Sequence, residues 1–312
     1  MSIRKSPRKG SLQFWPRKRA SKFIPRVNWN AVSSGKDIQG FICYKAGMVS
    51  VSVKNNILDS MTKGKEITIP ATILECPKMK IFSVRFYKDS KVAGEILAEN
   101  LDKELKRKVK LPKLKKKLDD FKKEYDDVRI VCYSAVKKTG IKKTPDLSEI
   151  GIVGTADGKV NFIKEKLNKE ISVMEVFEKG QVVDLRGLTK GKGFQGPVKR
   201  FGIKLKKAKS EKGRRRPGSI GPWHPARVTF RVPMAGQLGM FTRVVYNNKI
   251  IDLGNSDGKF RNIKNFGDVK TDYIMVAGSI QGPAKRQLLI TAPLRETKRT
   301  KKKNYELLEV LR

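Results

Sequence analysis

The sequence predicts a mainly β protein with helical inserts, and two observations support this fold class. First, eight stretches rich in Val, Ile, Phe and Tyr are separated by Gly and Lys-Gly turns, the pattern of a small β-barrel or sandwich. Second, most of them lie on either side of a basic, glycine-rich segment, which is therefore predicted to be a long loop inserted into a β domain. The predicted strands are QGFICYKAGMVSVSV (39–53), EITIPATILEC (66–76), MKIFSVRFY (79–87), VRIVCYSA (128–135), GQVVDLRG (180–187), RVVYNNKIIDLG (243–254), DYIMVAGSI (272–280) and QLLITAP (287–293).

Two helical inserts are predicted within this β pattern. In residues 101–125 apolar residues recur at helical spacing on both sides of Pro112, and the other faces carry many lysines. The favoured interpretation is a surface helix packed on the barrel, with its lysines in solvent or facing RNA. The alternative is a basic amphipathic helix that binds a membrane or a calmodulin-like protein. Residues 159–178 predict a second, less basic helix.

The charge balance indicates a polyanionic partner. The 312 residues include 70 Lys and Arg against 30 Asp and Glu, a formal net charge of +40. A compact domain with that charge would repel itself, so we expect nucleic acid first and an anionic membrane second. No apolar run approaches the roughly 18 residues of a membrane span. The three cysteines, Cys43, Cys76 and Cys132, form no CxxC pair and are expected to be buried in a protein of the reducing cytosol.

Residues 1–36 contain ten Lys and Arg and no acid, with Phe14, Trp15, Phe23 and Trp29 interleaved. This pattern predicts an extended basic arm with stacking groups, not a packed element, which becomes ordered on its partner. A merely disordered tail is the alternative, and a transit peptide is disfavoured because prolines interrupt any helix. The arm residues expected to contact RNA are Arg4, Lys5, Arg17, Lys18, Arg19, Lys22 and Arg26.

The central segment carries the strongest functional signal. Residues 189–231 contain 14 Lys and Arg and one acid, Glu211, so the segment cannot bury enough apolar area to fold alone. Within it, GRRRPGSIGPWHPARV (213–228) places three arginines beside a tryptophan flanked by prolines. Folded RNA accepts both, because it offers phosphates to the arginines and base faces to the indole. The residues expected to contact RNA here and at the following strand are Lys190, Lys192, Lys199, Arg200, Arg214, Arg215, Arg216, Trp223, His224, Arg227, Arg231 and Arg243.

The sequence gives little support for an enzymatic function. GKGFQG (191–196) matches G-x-G-x-x-G, but Pro197 and a basic run follow where a dinucleotide site needs an apolar helix and a later acid. His224 is the only histidine, and the basic segment has no pair of acids to hold a metal ion. We therefore expect no catalytic residue, cofactor, metal or small-molecule substrate, although a distant Asp could complete a site for an enzyme acting on RNA.

Four motifs in order resemble the universal large-subunit ribosomal protein L3 family. They are TKGKGFQGPVKRFG (189–202), RRRPGSIGPWHPARV (214–228), MAGQLGMFTRVVYNNKII (234–251) and DYIMVAGSIQGPAKR (272–286). The beginning, MSIRKSPRKGSLQFWPRKRA followed by GFICYKAGM (40–48), is similar to the archaeal and eukaryotic branch, and the chain length points to the archaeal type. The resemblance covers essentially the whole chain and is most specific at 187–251.

The resemblance implies a fold and a function. The expected fold is a six-stranded translation-factor-like β-barrel with a basic N-terminal arm and a central extension, which run through ribosomal RNA toward the peptidyl transferase centre with Trp223 at the tip. The implied protein is a structural component of the cytoplasmic large ribosomal subunit that supports early assembly beside neighbouring large-subunit proteins. The implied organisation is an arm at 1–37, a barrel domain at 38–188 and 243–295 with inserts near 98–126 and 140–178, an extension at 189–242 and a tail at 296–312.

Three other functions stay open from the residues alone. They are a non-ribosomal RNA chaperone or RNA-binding regulator, an enzyme acting on RNA, and a membrane-surface protein that uses the 101–125 helix.

Overall fold

The computed structural model describes residues 7–32, 35–112, 118, 121 and 124–311. The chain divides into two compact units. The smaller, here termed the basic unit, comprises Met1–Lys22 and Leu188–Thr242, and the larger, the β unit, comprises Phe23–Gly187 and Arg243–Arg312. The basic unit contains 22 Lys and Arg against one acid, so it holds +21 of the net charge of +40. The β unit contains 48 basic and 29 acidic residues, a much closer balance.

Strands dominate the described residues, as the fold class predicted. They are β1 (Gly40–Asn55), β2 (Glu66–Cys76), β3 (Met79–Lys88), β4 (Lys91–Leu97), β5 (Asp127–Ser134), β6 (Leu147–Gly151), β7 (Val182–Leu188), β8 (Phe194–Gln195), β9 (Gly236–Gln237), β10 (Thr242–Asn255), β11 (Asp272–Ala277), β12 (Gln287–Thr291) and β13 (Tyr305–Leu311). The α-helices are α1 (Ala156–Lys166), α2 (Val173–Val176), α3 (Pro197–Phe201) and α4 (Lys298–Lys301). Short 3-10 helices lie at Trp29–Ala31, Lys103–Arg107 and Val136–Thr139.

The larger sheet of the β unit is organised by β1. Seven strands follow the order β12-β7-β10-β11-β2-β1-β13, and β12 also pairs with β1. The first half of β1 pairs with β12 from Gly40 to Tyr44, and its second half pairs with β13 from Ser50 to Asn55. A bulge before Gly47 separates the halves, and a Cβ at this glycine would lie 2.5 Å from Ile263 Cγ2. One long, bent strand therefore serves two neighbours along the same edge.

The smaller sheet has the order β4-β3-β5-β6 and packs its apolar side against the larger one. Part of its other face is a ladder of ion pairs. Arg85 reaches Glu95 at 2.9 Å and Glu149 at 3.1 Å, and Arg129 reaches Glu149 at 3.3 Å and Asp127 at 3.0 Å. Lys159 of α1 completes the ladder, with its Nζ 2.5 Å from Asp127 Oδ1. Because acids and bases alternate along this ladder, it contributes almost nothing to the net charge.

All eight strands expected from the sequence are confirmed, as β1, β2, β3, β5, β7, β10, β11 and β12. The sequence pattern did not indicate β4, β6, β8, β9 and β13, which are short or interrupted by charges. Strand β13 lies within 296–312, for which the sequence predicted no regular element. The residues of β13 do not by themselves predict a strand. Pairing with β1 stabilises the strand, because strand formation depends on packing against the neighbouring strand.

The helical predictions need correction. In 101–112 the structure has only the 3-10 helix Lys103–Arg107, so an α-helix there is wrong, although its apolar Leu105 is fully buried. Residues 113–117, 119–120 and 122–123 of the same prediction lie outside the described residues. The predicted helix at 159–178 is two helices, α1 and α2. They are separated by Asn168, which has φ of +68°, and by Ile171, which forms a bridge with Met79.

Trp29 corrects the interpretation of the N-terminal aromatics. Its indole is 4% exposed and belongs to the main core of the β unit. A Cβ on Gly40 would lie 2.8 Å from the indole, and one on Gly151 would lie 3.0 Å from Trp29 Cβ. Glycines on β1 and β6 thus leave the space that the indole fills. The expectation that Trp29 stacks on RNA is therefore wrong.

Replacing Trp29 tests this core role. We expect Trp29→Ala to lower the free energy of unfolding by about 3–5 kcal/mol, because a buried indole leaves a cavity. Urea unfolding of the full chain, followed by circular dichroism, measures the change. Trp223→Ala is the matched control, with an expected change within about 0.5 kcal/mol because that side chain is exposed. Equal losses in the two variants would contradict the assignment.

Candidate nucleic-acid interface

The base of the central segment is a two-stranded ribbon within the basic unit. Thr189 N donates to Phe241 O at 3.0 Å, Lys192 N to Leu238 O at 2.9 Å, and Leu238 N to Gly193 O at 2.8 Å. Strands β8 and β9 continue the ribbon. The close approach of the two strands of the ribbon requires glycine at position 239. Gly239 has φ of +79°, and a Cβ there would collide with the carbonyl oxygen of Lys190. The glycines of this segment therefore build a narrow stem.

Helix α3 follows the stem and is short for physical reasons. Pro197 stands at its first position, where no amide donor is needed, and Gly202 ends it with φ of +67°. The helix covers five residues and buries Phe201. The glycine motif at 191–196 thus leads into a single helical turn whose apolar residue, Phe201, packs against Trp15. This geometry agrees with the rejection of a dinucleotide site.

Arg200 holds the base of the segment together through backbone carbonyls. Its Nε donates to Gln237 O at 2.9 Å, its Nη1 to Met234 O at 3.0 Å and its Nη2 to Arg17 O at 3.4 Å. Burial lowers the pKa of this guanidinium. Arg17 returns the contact, since its Nη1 donates to Arg200 O at 2.6 Å. Both arginines were predicted to contact RNA, and the structure gives each a protein role as well.

Residues 7–22 pack against the central segment through aromatic rings. The ring centroid of Trp15 lies 5.8 Å from that of Phe201 and 6.0 Å from that of Phe230. Arg17 lies over the Phe201 ring at 4.1 Å, a cation–π distance. Arg8 Nη2 donates to Arg231 O at 2.6 Å. The expectation that the arm is not a packed element is therefore wrong for this part of the chain.

Beyond this cluster the segment from 203 to 233 is mostly exposed. Trp223 is 86% exposed and is followed by His224 and Pro225, joined by a cis peptide bond. Backbone contacts here are local, such as Lys206 N to Arg214 O at 3.1 Å. Burial of Trp223 in the protein's own barrel, the alternative to RNA stacking, is not observed. The tip thus presents an uncovered indole among cations.

The predicted RNA-binding residues divide into three groups. Exposed side chains are those of Lys18, Arg19, Lys22, Arg26, Lys190, Lys192, Lys199, Arg214, Arg215, Arg216, Trp223, His224, Arg227 and Arg231. Half-buried side chains are those of Arg17, Arg200 and Arg243. Arg4 and Lys5 lie outside the described residues. Arg26 and Arg243 belong to the β unit, whereas the other described residues of this set belong to the basic unit.

The structure adds members that the predicted set lacked. Lys204, Lys207, Lys209 and Lys212 are exposed on the same segment, and Phe194 is 77% exposed. The run KLKKAK (204–209) carried the signal for the lysines. Phe194 had a weaker signal, as one of several aromatic residues scattered through the basic segment that are suited to stacking on bases.

Other site classes find no support in the part of the chain that the structure describes. There, no three His, Cys, Asp or Glu side chains come together as a metal site would require. The helices described are all too short or too polar to cross a membrane. A cavity of about 590 Å³ in the β unit is lined by Lys80, Asp102 and Glu170 among others. These groups pair with one another, Lys80 with Asp102 at 3.2 Å and with Glu170 at 3.9 Å.

Comparison with known proteins now adds the family. The family described as Ribosomal protein L3 matches residues 1–118 and 110–311. The large ribosomal subunit protein uL3 of Archaeoglobus fulgidus is 39% identical over 308 residues, which span 94% of this chain and 93% of the relative. The protein of the same name from Methanocaldococcus jannaschii is 39% identical over 306 residues, with 93% and 91% covered. That from Methanococcus maripaludis is 38% identical over 312 residues, with 95% and 93% covered.

These matches extend over both units, and the three relatives named are archaeal, as the chain length predicted. The family consists of structural proteins of the ribosome and not of enzymes. The chain belongs to the ribosomal protein L3 family.

Proposed function

We propose that this chain is a structural component of the large ribosomal subunit in the cytoplasm, where it binds ribosomal RNA through its basic unit. The observation that carries the proposal is the concentration of 22 Lys and Arg against one acid in that unit, together with Trp223 exposed at 86%. Such a surface is complementary to phosphates and unstacked bases. The names of the archaeal relatives support the same placement.

The proposed recognition assigns different chemistry to neighbouring residues. Arg214, Arg215 and Arg216 contact phosphates of converging strands, because a guanidinium fork matches phosphate oxygens. Trp223 and His224 press against bases, so RNA completes the burial of the tip. Arg17 and Arg200 contribute differently, since contacts with protein carbonyls fix the position from which the segment departs.

The finer fold also belongs to the proposal. We propose that β1, β2, β11, β10, β7 and β12 close a six-stranded barrel of the translation-factor type. The support is that β12 pairs with β7 on one side and with β1 on the other. The proposed extension at 189–242 is supported by the separate compact unit formed by Met1–Lys22 and Leu188–Thr242. Of the proposed arm at 1–37, this unit supports only residues 1–22, because Phe23 and the residues after it belong to the β unit.

The remaining parts of the proposal rest on the resemblance to the family. The arm and the extension run toward the peptidyl transferase centre, with Trp223 nearest to it, and the protein supports early subunit assembly beside other large-subunit proteins. Any influence on peptide-bond formation then comes from positioning RNA, with no protein group taking part in the chemistry.

Sedimentation of a cell lysate at low and high salt tests the central proposal. We expect the chain in the large-subunit peak in a stoichiometric amount, and we expect it to resist a moderate salt wash, because an interior component keeps many phosphate contacts. Free protein at the top of the gradient would overturn the proposal and favour a chaperone or an enzyme acting on RNA.

The arginine triplet should set part of the salt dependence. For Arg214→Ala, Arg215→Ala and Arg216→Ala combined, we expect the slope of log affinity against log salt to fall in magnitude by about 2, because three phosphate contacts are lost. Filter binding of the full chain to deproteinised large-subunit RNA measures the slope.

The matched control removes three lysines that already pair with carboxylates. These lysines are Lys88, Lys138 and Lys166. They form close ion pairs with Glu124, Glu170 and Glu175, respectively. Their replacement by alanine should leave the slope nearly unchanged, since their charges are already neutralised within the protein. The same fall in both triple variants would contradict specific use of the arginines.

Trp223 should matter for RNA and not for folding. We expect Trp223→Ala to keep the stability of the protein but to change the chemical-probing reactivity of RNA at the catalytic centre, because a base loses its stacking partner, worth about 1–3 kcal/mol. Probing of mutant ribosomes and their drug sensitivity measure the effect. Wild-type reactivity and drug sensitivity would count against the tip assignment.

A further inference from the structure

The outer face of β2, β1 and β13 is unlike the rest of this basic protein. Opposite residues of neighbouring strands share a face, and the register places Glu66, Lys54 and Glu306 in one row across the three strands. Glu309 lies opposite Ser52 on the same face. All four charged side chains are exposed. The patch therefore carries two net negative charges on a chain whose net charge is +40.

The same region exposes apolar side chains at its border. Leu308, at the bulge of β13, is 51% exposed, and Leu311 is 37% exposed. The other side chains of the strand, Tyr305 and Leu307 among them, pack against the second core cluster of the β unit. Strand β13 is thus anchored on one face and presents glutamate and leucine on the other.

The backbone of β13 also has an open edge. The strand ends the sheet order, and among the residues that the structure describes it pairs with β1 alone. The backbone N–H of Asn55 donates to Lys65 O at 3.0 Å, and the backbone carbonyl of Asn55 accepts from Gly64 N at 2.8 Å. Both of these hydrogen bonds lie on the β2 side of β1. Tyr305 of β13 faces Asn55, so its own backbone N–H and C=O groups point away from β1. Because this orientation alternates along an antiparallel strand, the N–H and C=O groups of Leu307 also point away from β1. These groups can hydrogen-bond an added strand.

We propose that β13 is the docking edge for an extended, basic segment of another large-subunit protein, which adds a strand to this sheet. Main-chain hydrogen bonds to Tyr305 and Leu307 supply the pairing, Glu306 and Glu309 attract Lys or Arg of the segment, and Leu308 contacts its apolar side chains. Two unneutralised glutamates repel RNA phosphates, so the patch favours protein over RNA. The inference rests on the proposed placement in the large subunit and names one partner class there.

Site-specific photo-crosslinking in assembled subunits tests the proposal. p-Benzoylphenylalanine replaces Leu308 in the full chain, subunits are isolated by sedimentation, and the crosslinked product is identified by mass spectrometry. The same group at Val92, which is 52% exposed on β4, is the control position. The expected result is a crosslink from position 308 to a Lys- and Arg-rich segment of another large-subunit protein, and none to that segment from position 92.

Charge removal adds a second readout. With Glu306→Gln and Glu309→Gln the crosslink yield should fall about tenfold, because two charge pairs are lost while glutamine keeps the size of each side chain. Asp157→Asn and Glu165→Gln, which remove two exposed acids of α1, should leave the yield unchanged. A crosslink to RNA or to a second copy of the chain, no crosslink, or equal yields in both double variants would overturn the inference. Absence of the chain from the subunit peak would overturn the proposed function as well.

Discussion

Positive charge concentrated in the basic unit is the constraint on which the rest of the structure depends. With Glu211 as the only acid among 22 Lys and Arg, ion pairs within the unit cannot hold it together. Its few aromatics cannot build a large core either. The structure instead uses neutral acceptors, the backbone carbonyls of Arg17, Met234 and Gln237, to bind the guanidinium of Arg200. A carbonyl satisfies an arginine without cancelling its charge, so the unit keeps its attraction for phosphates.

Aromatic rings complete this arrangement. Trp15, Phe201 and Phe230 form a small cluster, and Arg17 stacks over one of its rings. Rings accept cations on their faces as well as apolar contacts on their edges, which suits a segment so rich in arginine. The cluster orders the base of the unit, whereas the tip around Trp223 has no protein partner of this kind. Side-chain exposure within the unit therefore increases toward the surface proposed to meet RNA.

The β unit has a charge closer to balance and is stabilised differently. Its acids are distributed among its bases, most clearly in the ladder from Glu95 through Arg129 to Lys159, and an extensive apolar core lies between its two sheets. Neutral and acidic faces are then available for contacts other than RNA. The division of charge between the units thus separates the surface proposed to bind nucleic acid from the more nearly neutral surface of the β unit.

The sequence by itself determined the β class, eight strands and the basic glycine-rich segment, because alternating β-branched residues and uncompensated charge are local properties. It also indicated the family through motifs that stand close together in the chain. Tertiary structure decided which tryptophan is buried: Trp15, Trp29 and Trp223 all stand in basic surroundings, yet only Trp29 finds glycines on distant strands that leave room for an indole. It likewise decided that Arg17 and Arg200 bind carbonyls and that β13 is a strand. Each of these outcomes depends on partners far away in the sequence, which local patterns cannot specify.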